Sequence, residues 1–265
     1  MAALHFDLRV PSPTFAGQMK TLVVVPTYNE RHNLERLAAA ILALDHDLHL
    51  LIIDDASPDG TGVVANALAA ANPRVHVMHR PGKLGQGSAY VEGFRWMLAE
   101  TDAEYGVQMD ADLSHDPAAL PDFLGAMDGS DLVLGSRYRD GIRVLNWPWQ
   151  RLALSLAANR YASLVALVPI HDLTSGYKCY RRSALERIGI DEIRSSGYAF
   201  HIETTVRAWQ LGLRVREIPI VFTDRVEGES KLSKQIIWEA AWVVWALRLT
   251  GRRRRRASRG FEERE

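Results

Sequence analysis

The sequence predicts an α/β fold, a mostly parallel sheet with helices on both faces. Three observations carry this reading. Short apolar runs alternate with segments of helical spacing, the connections between them are short, and the polar clusters fall just past the apolar runs. In such sheets ligands sit beyond the carboxyl ends of the strands.

The elements follow in order. Leu22–Val25 is a short β-rich run ended by Pro26, and Asn33–Leu44 has apolar residues at helical spacing. Leu48–Ile53 reads as a buried strand, Thr61–Ala71 as an alanine-rich helix and Val75–Met78 as a third strand. Ser88–Leu98 is helical, Gly106–Met109 a fourth strand and Leu132–Leu134 a fifth. Beyond residue 140 the pattern changes. Leu152–Leu167 is a long apolar helix, Arg214–Phe222 alternates like a strand, and Pro219 assigns that strand to an edge. Ile236–Leu249 is a last helix. No internal repeat is visible.

A chain of 265 residues, 47% hydrophobic, can bury one large core. Lysine plus arginine and aspartate plus glutamate are 32 each, so no overall field favours nucleic acid. Charge is concentrated locally in the five arginines Arg252–Arg256. The single cysteine, Cys179, excludes an internal disulfide and a zinc cluster and fits a reducing cytoplasm. The first 19 residues lack the basic-then-apolar order of a secretory signal and read as a loose leader. No stretch reaches the roughly 20 apolar residues that span a bilayer. Leu152–Ile170 and Ile236–Leu249 come partway.

Four clusters carry chemistry. Asp110-Ala-Asp112 places two carboxylates past a strand, pointing the same way if the chain stays extended. They form a hard-oxygen site for Mg²⁺ or Mn²⁺, which keeps substrate phosphates as further ligands. The plain alternative is a solvated turn. In Asp54-Asp-Ala-Ser-Pro-Asp-Gly-Thr61, Asp59 and Gly60 shape a turn and Asp55 faces the cleft. In Pro26-Thr-Tyr-Asn-Glu30, Tyr28 could stack on a base and Glu30 accept from a base or sugar. Helix capping by Thr27 or Asn29 explains the same residues. Gly82-Lys-Leu-Gly-Gln-Gly87 permits close approach to a phosphate, or is only a flexible turn. Basic residues at Arg137, Arg139, Arg143, Arg151, Arg225, Lys231 and Lys234 suit phosphate oxygens. The Gly228–Lys231 turn could fold over a ligand.

Taken together, the ordered motifs resemble the family-2 glycosyltransferases of the GT-A nucleotide-sugar fold, and more narrowly the polyprenol (dolichol) phosphate mannose synthases. The resemblance runs from about Lys20 to Leu232. It includes Pro26-Thr-Tyr-Asn-Glu, Asp54-Asp-Ala-Ser-Pro-Asp-Gly-Thr, Asp110-Ala-Asp-Leu-Ser-His, Gly135-Ser-Arg-Tyr, Asn146-Trp-Pro, Thr174-Ser-Gly-Tyr and Arg225-Val-Glu-Gly-Glu-Ser-Lys-Leu. The resemblance implies that Pro26, Tyr28, Glu30, Ile53 and Asp55 hold the nucleoside of GDP-mannose. It sets Asp110, Ala111 and Asp112 at the diphosphate and sugar, with Asp112 on a divalent cation. Arg225 and Lys231 would reach the donor from a mobile loop. Arg137, Arg151 and Ser155 would receive the phosphate of a polyprenyl phosphate. Ser114 stands where some relatives carry a glutamine ligand, and its shorter side chain would bind metal through water.

An anionic acceptor needs no strong general base, so catalysis reduces to placement and charge control, with inversion at the anomeric carbon. A greasy acceptor also implies contact with an anionic membrane surface. Trp238, Trp242, Trp245 and Leu249 share a helical face, and the arginine run follows them. The alternative is a helix packed on the core with a solvated tail. The reading is therefore a leader (1–19), a glycosyltransferase domain (20–232), an interfacial helix (233–250) and a basic tail (251–265), cytoplasmic and peripheral to the membrane. It leaves open whether a membrane protein recruits the chain. Rival readings are a polyprenyl-phosphate glucosyl- or hexosyltransferase and a non-catalytic lipid-phosphate binding module.

Overall fold

The computed structural model describes residues 20–44, 46–193, 195, 197–223 and 242–249. Expectations for the leader, Arg225, Lys231, Lys234, Trp238 and the basic tail lie outside these residues.

The strands are β1 (Thr21–Thr27), β2 (Leu48–Asp54), β3 (Val75–His79), β4 (Tyr105–Gln108), β5 (Leu132–Ser136), β6 (Val144–Leu145), β7 (Lys178–Arg181), β8 (Val215–Pro219) and β9 (Phe222–Thr223). The helices are α1 (Arg31–Leu42), α2 (Thr61–Ala71), α3 (Gln86–Glu100), α4 (Leu120–Ala126), α5 (Trp149–Ala166), α6 (Arg182–Ile188) and α7 (Gly197–Gln210), and residues 242–249 are also helical. The main sheet has the order β3-β2-β1-β4-β7-β5-β8, and β6 pairs with β9 apart from it.

Central strands read as continuous apolar runs because both faces are covered. Along β1 and β2, alternate residues go to opposite cores. Leu22, Val24, Leu51 and Ile53 meet Tyr90, Phe94 and Met97 of α3. Val23, Val25, Leu50 and Ile52 meet Leu34, Leu37 and Ile41 of α1. Helix α3 lies so close that a Cβ on Gly93 would come within 2.5 Å of Val24 Cγ1 and 2.7 Å of Ile53 Cδ1. Glycine at 93 is therefore a condition of that packing.

The exception to parallel order is β7, antiparallel to both β4 and β5. Its four residues, with Lys178 among them, carry no strand period, and sequence reasoning missed it along with α4, α6 and α7. The edge assignment of Pro219 holds. β8 is the last strand of the sheet, and the chain leaves it after Pro219 to form β9.

Candidate active site

Because β2, β1 and β4 are neighbours, the loops at their carboxyl ends lie side by side. Each loop holds a non-glycine residue in the left-handed region: Asn29 (φ 61°), Ala56 (φ 55°) and Leu113 (φ 61°). Such conformations cost of order 1–3 kcal/mol and cluster at ligand sites.

The β2 loop is built by its carboxylates. Asp54 accepts from Thr27 Oγ1 (3.2 Å), Ser57 N (3.2 Å) and Ser57 Oγ (2.5 Å). Thr27 is thus tied to β2 and does not cap α1. Asp59 shapes the turn as read, accepting from Thr61 N (2.9 Å) and Thr61 Oγ1 (2.6 Å), and it also reaches Arg31 N at the start of α1 (3.2 Å). Glu30 accepts from Asn33 Nδ2 at 2.9 Å.

Asp55 differs from its reading. Its carboxylate is buried under the Gly82–Gly87 loop rather than open to the cleft. It binds Arg80 Nη1 at 2.5 Å and accepts from Leu84 N and Gly85 N at 3.0 Å each. A buried carboxylate must find donors, and these are the nearest. Arg80 was missed in the sequence. It also donates to Ser88 Oγ (2.6 Å), and its Nε lies 3.2 Å from Glu92 Oε2 as an ion pair without hydrogen-bond alignment. Lys83, on the loop so held, sits over the Tyr28 ring at 4.1 Å. Ile53 is fully buried and its carbonyl accepts from Thr27 Oγ1 at 3.3 Å, so its side chain offers a ligand no surface.

Past β4 the chain stays extended only to Asp110 and turns at Ala111, which is buried. The two carboxylates consequently take different partners. Asp110 Oδ1 accepts from Gln86 Nε2 (2.5 Å) and Tyr90 Oη (3.1 Å) of α3. Asp112 Oδ1 accepts from Ser114 N (3.0 Å) and Ser114 Oγ (2.6 Å). Buried Ser114 therefore aims Asp112. His115 Nδ1 accepts from Asp110 N (3.1 Å), which leaves the ring proton on Nε2. Burial lowers its pKa and keeps the ring neutral. As a metal site the loop supplies hard oxygens only. Among the described residues no group of three or more His, Cys, Asp or Glu could hold an ion by itself. Two carboxylates are the hard-oxygen ligands that suit a Mg²⁺ or Mn²⁺ completed by diphosphate oxygens.

The basic side lies at the end of β5. Arg137 is buried, with Nε and Nη2 closed on Asp172 (2.7 and 2.6 Å) and Nη2 also on Thr174 Oγ1 (2.7 Å). The expectation assigned this guanidinium to an acceptor phosphate. Its bidentate partner, Asp172, was not foreseen, because the two are joined only by folding. Asn159 of α5 joins the network through Thr174 Oγ1 (3.1 Å). Arg151 stacks on Trp147 at 4.1 Å from the ring centre, and Ser155 accepts from Tyr138 Oη at 2.6 Å. Arg137, Arg151 and Ser155 thus come together around Tyr138 and Trp147.

The 242–249 helix has two apolar faces. Val244 and Leu247 are buried with Ala162, Ala166, Ile202 and Val206. Trp242, Trp245 and Leu249 face outward, 75%, 45% and 61% exposed. On α5, Trp149, Leu154, Tyr161 and Leu164 are exposed as well. No helix among the described residues is long and apolar enough to cross a membrane.

A strand-end cleft of this topology, with a DxD loop on one side, defines a GT-A nucleotide-sugar transferase. The model of glycosyl transferase family 2 matches residues 22–189, and the chain belongs to that family. Polyprenol monophosphomannose synthase of Mycolicibacterium smegmatis is 48% identical over 239 residues, spanning 89% of this chain and 90% of that protein. Undecaprenyl-phosphate mannosyltransferase of Micrococcus luteus is 43% identical, spanning 86% and 95%. The resemblance read from the motifs is borne out.

Among solved structures, glucosyl-3-phosphoglycerate synthase from Mycobacterium tuberculosis, in complex with Mn²⁺, UDP and glucosyl-3-phosphoglycerate, superposes with a TM-score of 0.62 at 21% identity. The match covers 88% of this chain and 80% of that one. A mannosyltransferase from Pyrobaculum calidifontis, in complex with GDP-mannose and Mn²⁺, gives 0.55 at 18% identity, covering 89% and 74%. Both share the fold.

Proposed function

We infer that the chain transfers mannose from GDP-mannose to a polyprenyl phosphate, with inversion, at the cytoplasmic face of a membrane. What supports mannosyl transfer to a polyprenyl phosphate is the near full-length similarity, at 48% and 43% identity, to two proteins named as mannosyl transferases to polyprenyl phosphates. The geometry supports a division of labour. Pro26, Tyr28 and Glu30 line the nucleoside side, with Ile53 contributing through its backbone and Asp55 through the loop it holds. Asp110 and Asp112 face the diphosphate, with Ala111 between them. Arg225 and Lys231 would reach the donor from residues beyond β9.

Asp112, aimed by Ser114, would hold a divalent cation, and Ser114 would ligate through water. When bound, that cation would supply charge to the departing diphosphate. The chain's own part is placement. Arg151 and Ser155 would receive the acceptor phosphate beside Arg137, whose ion pair with Asp172 would hold that part of the site rigid. Phosphate oxygens are anionic near neutral pH, so no side chain need act as a strong base. The outward Trp242, Trp245 and Leu249 would rest in an anionic membrane surface, alone or beside a recruiting membrane protein.

One assay tests this reading: GDP-mannose and UDP-glucose, each with a polyprenyl phosphate, with and without EDTA. Transfer from GDP-mannose alone, abolished by EDTA, is expected. Preferred transfer from UDP-glucose would move the chain to the glucosyl group. GDP binding without any transfer would make it a binding module.

A further inference from the structure

Trp147 holds an indole N–H that nothing among the described residues accounts for. Its Nε1 is shielded from solvent and has no hydrogen-bond partner among the described residues. A donor left so is costly, and native structures keep few of them. The surroundings specify the missing acceptor. The Arg151 guanidinium lies over the ring at 4.1 Å, and that of Arg137 is 5.5 Å away. Phe222 meets the ring at 5.6 Å in a T-shaped contact, and Tyr138, whose hydroxyl bonds Ser155 at 2.6 Å, lies beside Arg137. Arg151 covers the ring face, Phe222 meets its edge, and Arg137 nearby is already closed on Asp172. An acceptor atom favoured there is anionic.

We propose that Trp147 is part of the acceptor site: its indole N–H donates to an oxygen of the acceptor's phosphate, and its ring face carries Arg151 to the same group. The inference rests on the assignment of Arg151 and Ser155 to that phosphate. Burial of Nε1 adds a mechanical condition. The side chains over Nε1 shift as the phosphate enters, while Arg151 keeps its place on the ring face and turns its guanidinium edge to the incoming oxygens. The site then distinguishes a prenyl phosphate from the free alcohol by three donors, the indole among them, rather than by charge alone.

Trp147→Phe separates the two roles, since it keeps the ring and removes the N–H. Losing one hydrogen bond to a charged group is expected to raise the KM for a polyprenyl phosphate about tenfold. GDP affinity should stay unchanged, and the melting temperature should not fall, because the variant removes a buried donor that has no partner among the described residues. Trp147→Ala, which also releases Arg151, should raise KM further. A direct readout is the ¹⁵N indole resonance, assigned by its disappearance in Trp147→Phe. It should move on titration with a short-chain prenyl phosphate and not with the corresponding alcohol. An equal shift with the alcohol would mean that the indole senses the lipid and would overturn the proposal.

Arg151→Ala tells the two possible failures apart. If it raises the acceptor KM while Trp147→Phe does not, the acceptor site stands and the role of the indole falls. If neither variant changes acceptor kinetics, the acceptor site itself lies elsewhere.

Discussion

Asp112 and Asp172 show how different two loop carboxylates can be. Asp112 is partly exposed and aimed by Ser114. Asp112→Asn should lower turnover by roughly 10²–10³ with the fold intact, because it removes charge from a site that must face a developing diphosphate. A folded variant with normal turnover would exclude Asp112 as the ligand. Ser114→Ala should instead raise the cation concentration needed for half-maximal rate, measured by Mn²⁺ titration, since the hydroxyl acts by holding Asp112. Unchanged cation demand would show that Ser114 does not position it. Asp172 is fully buried and closes the fork of Arg137. Asp172→Asn leaves a buried guanidinium without its counter-ion, which costs about 3–5 kcal/mol. Urea denaturation should register that loss, and a shift under about 1 kcal/mol would mean that Arg137 finds another anion. The residue types at these positions were legible from the motifs. Their partners were not, because Arg80, Asp172 and Trp147 reach the site through β3, the segment before β7 and the turn before α5.

The final helix illustrates what an element's two faces can do. The sequence set a membrane-lying helix against one packed on the core; residues 242–249 do pack on the core and also keep an apolar face outward. Val244 and Leu247 are buried, while Trp242 and Trp245 remain outside. Indole rings favour the headgroup region, and the basic tail that follows favours anionic lipid at about 1 kcal/mol per residue near the surface. Two vesicle co-sedimentation results should therefore differ in kind. Trp242→Ala with Trp245→Ala is expected to weaken binding at low and high salt alike. Removing residues 251–265 should weaken it at low salt, with the effect fading as salt screens the charge. Transfer to a short water-soluble acceptor should survive both. Undiminished vesicle binding by the tryptophan variant would leave the exposed side of α5 as the contact.

At the scale of the whole molecule, buried titratable groups tie stability to pH. Burial pushes Lys178 down to about 7 and His76 down to about 4. For Lys178, burial is the larger effect and the Asp172 carboxylate opposes it, while the amine donates to three oxygens, His201 O (2.6 Å), Thr205 Oγ1 (2.8 Å) and Thr204 Oγ1 (3.1 Å). Both groups sit below their unfolded values, so the unfolded chain binds the extra proton. The windows are about 4 to 6.5 for His76 and about 7 to 10.4 for Lys178, and stability rises with pH through each. Cys179 works the other way. Burial pushes its thiol pKa up, so above about 8.5 the unfolded thiol ionises first and stability falls. The melting temperature should climb from about pH 5 to about 8.5 and then level or drop. Calorimetry would check this, with Lys178→Met expected to flatten the rise above pH 7. An unchanged slope in that variant would mean that the three oxygens keep Lys178 charged in the native state.

The alternation of strands and helices, the edge position of Pro219 and the three polar strand-end loops were determined by the sequence itself. They follow from periodicity, backbone restriction and the need to cover both faces of a parallel sheet, all of which act within a few residues. The insertion of β7 was decided only by the tertiary structure. A four-residue strand carrying a lysine becomes possible because α7, more than twenty residues later, brings oxygens to its amine. The same holds for Asp55 beneath the glycine loop and Arg137 against Asp172. A buried charge must find its complement wherever the fold supplies one, and that choice has no signature at short range.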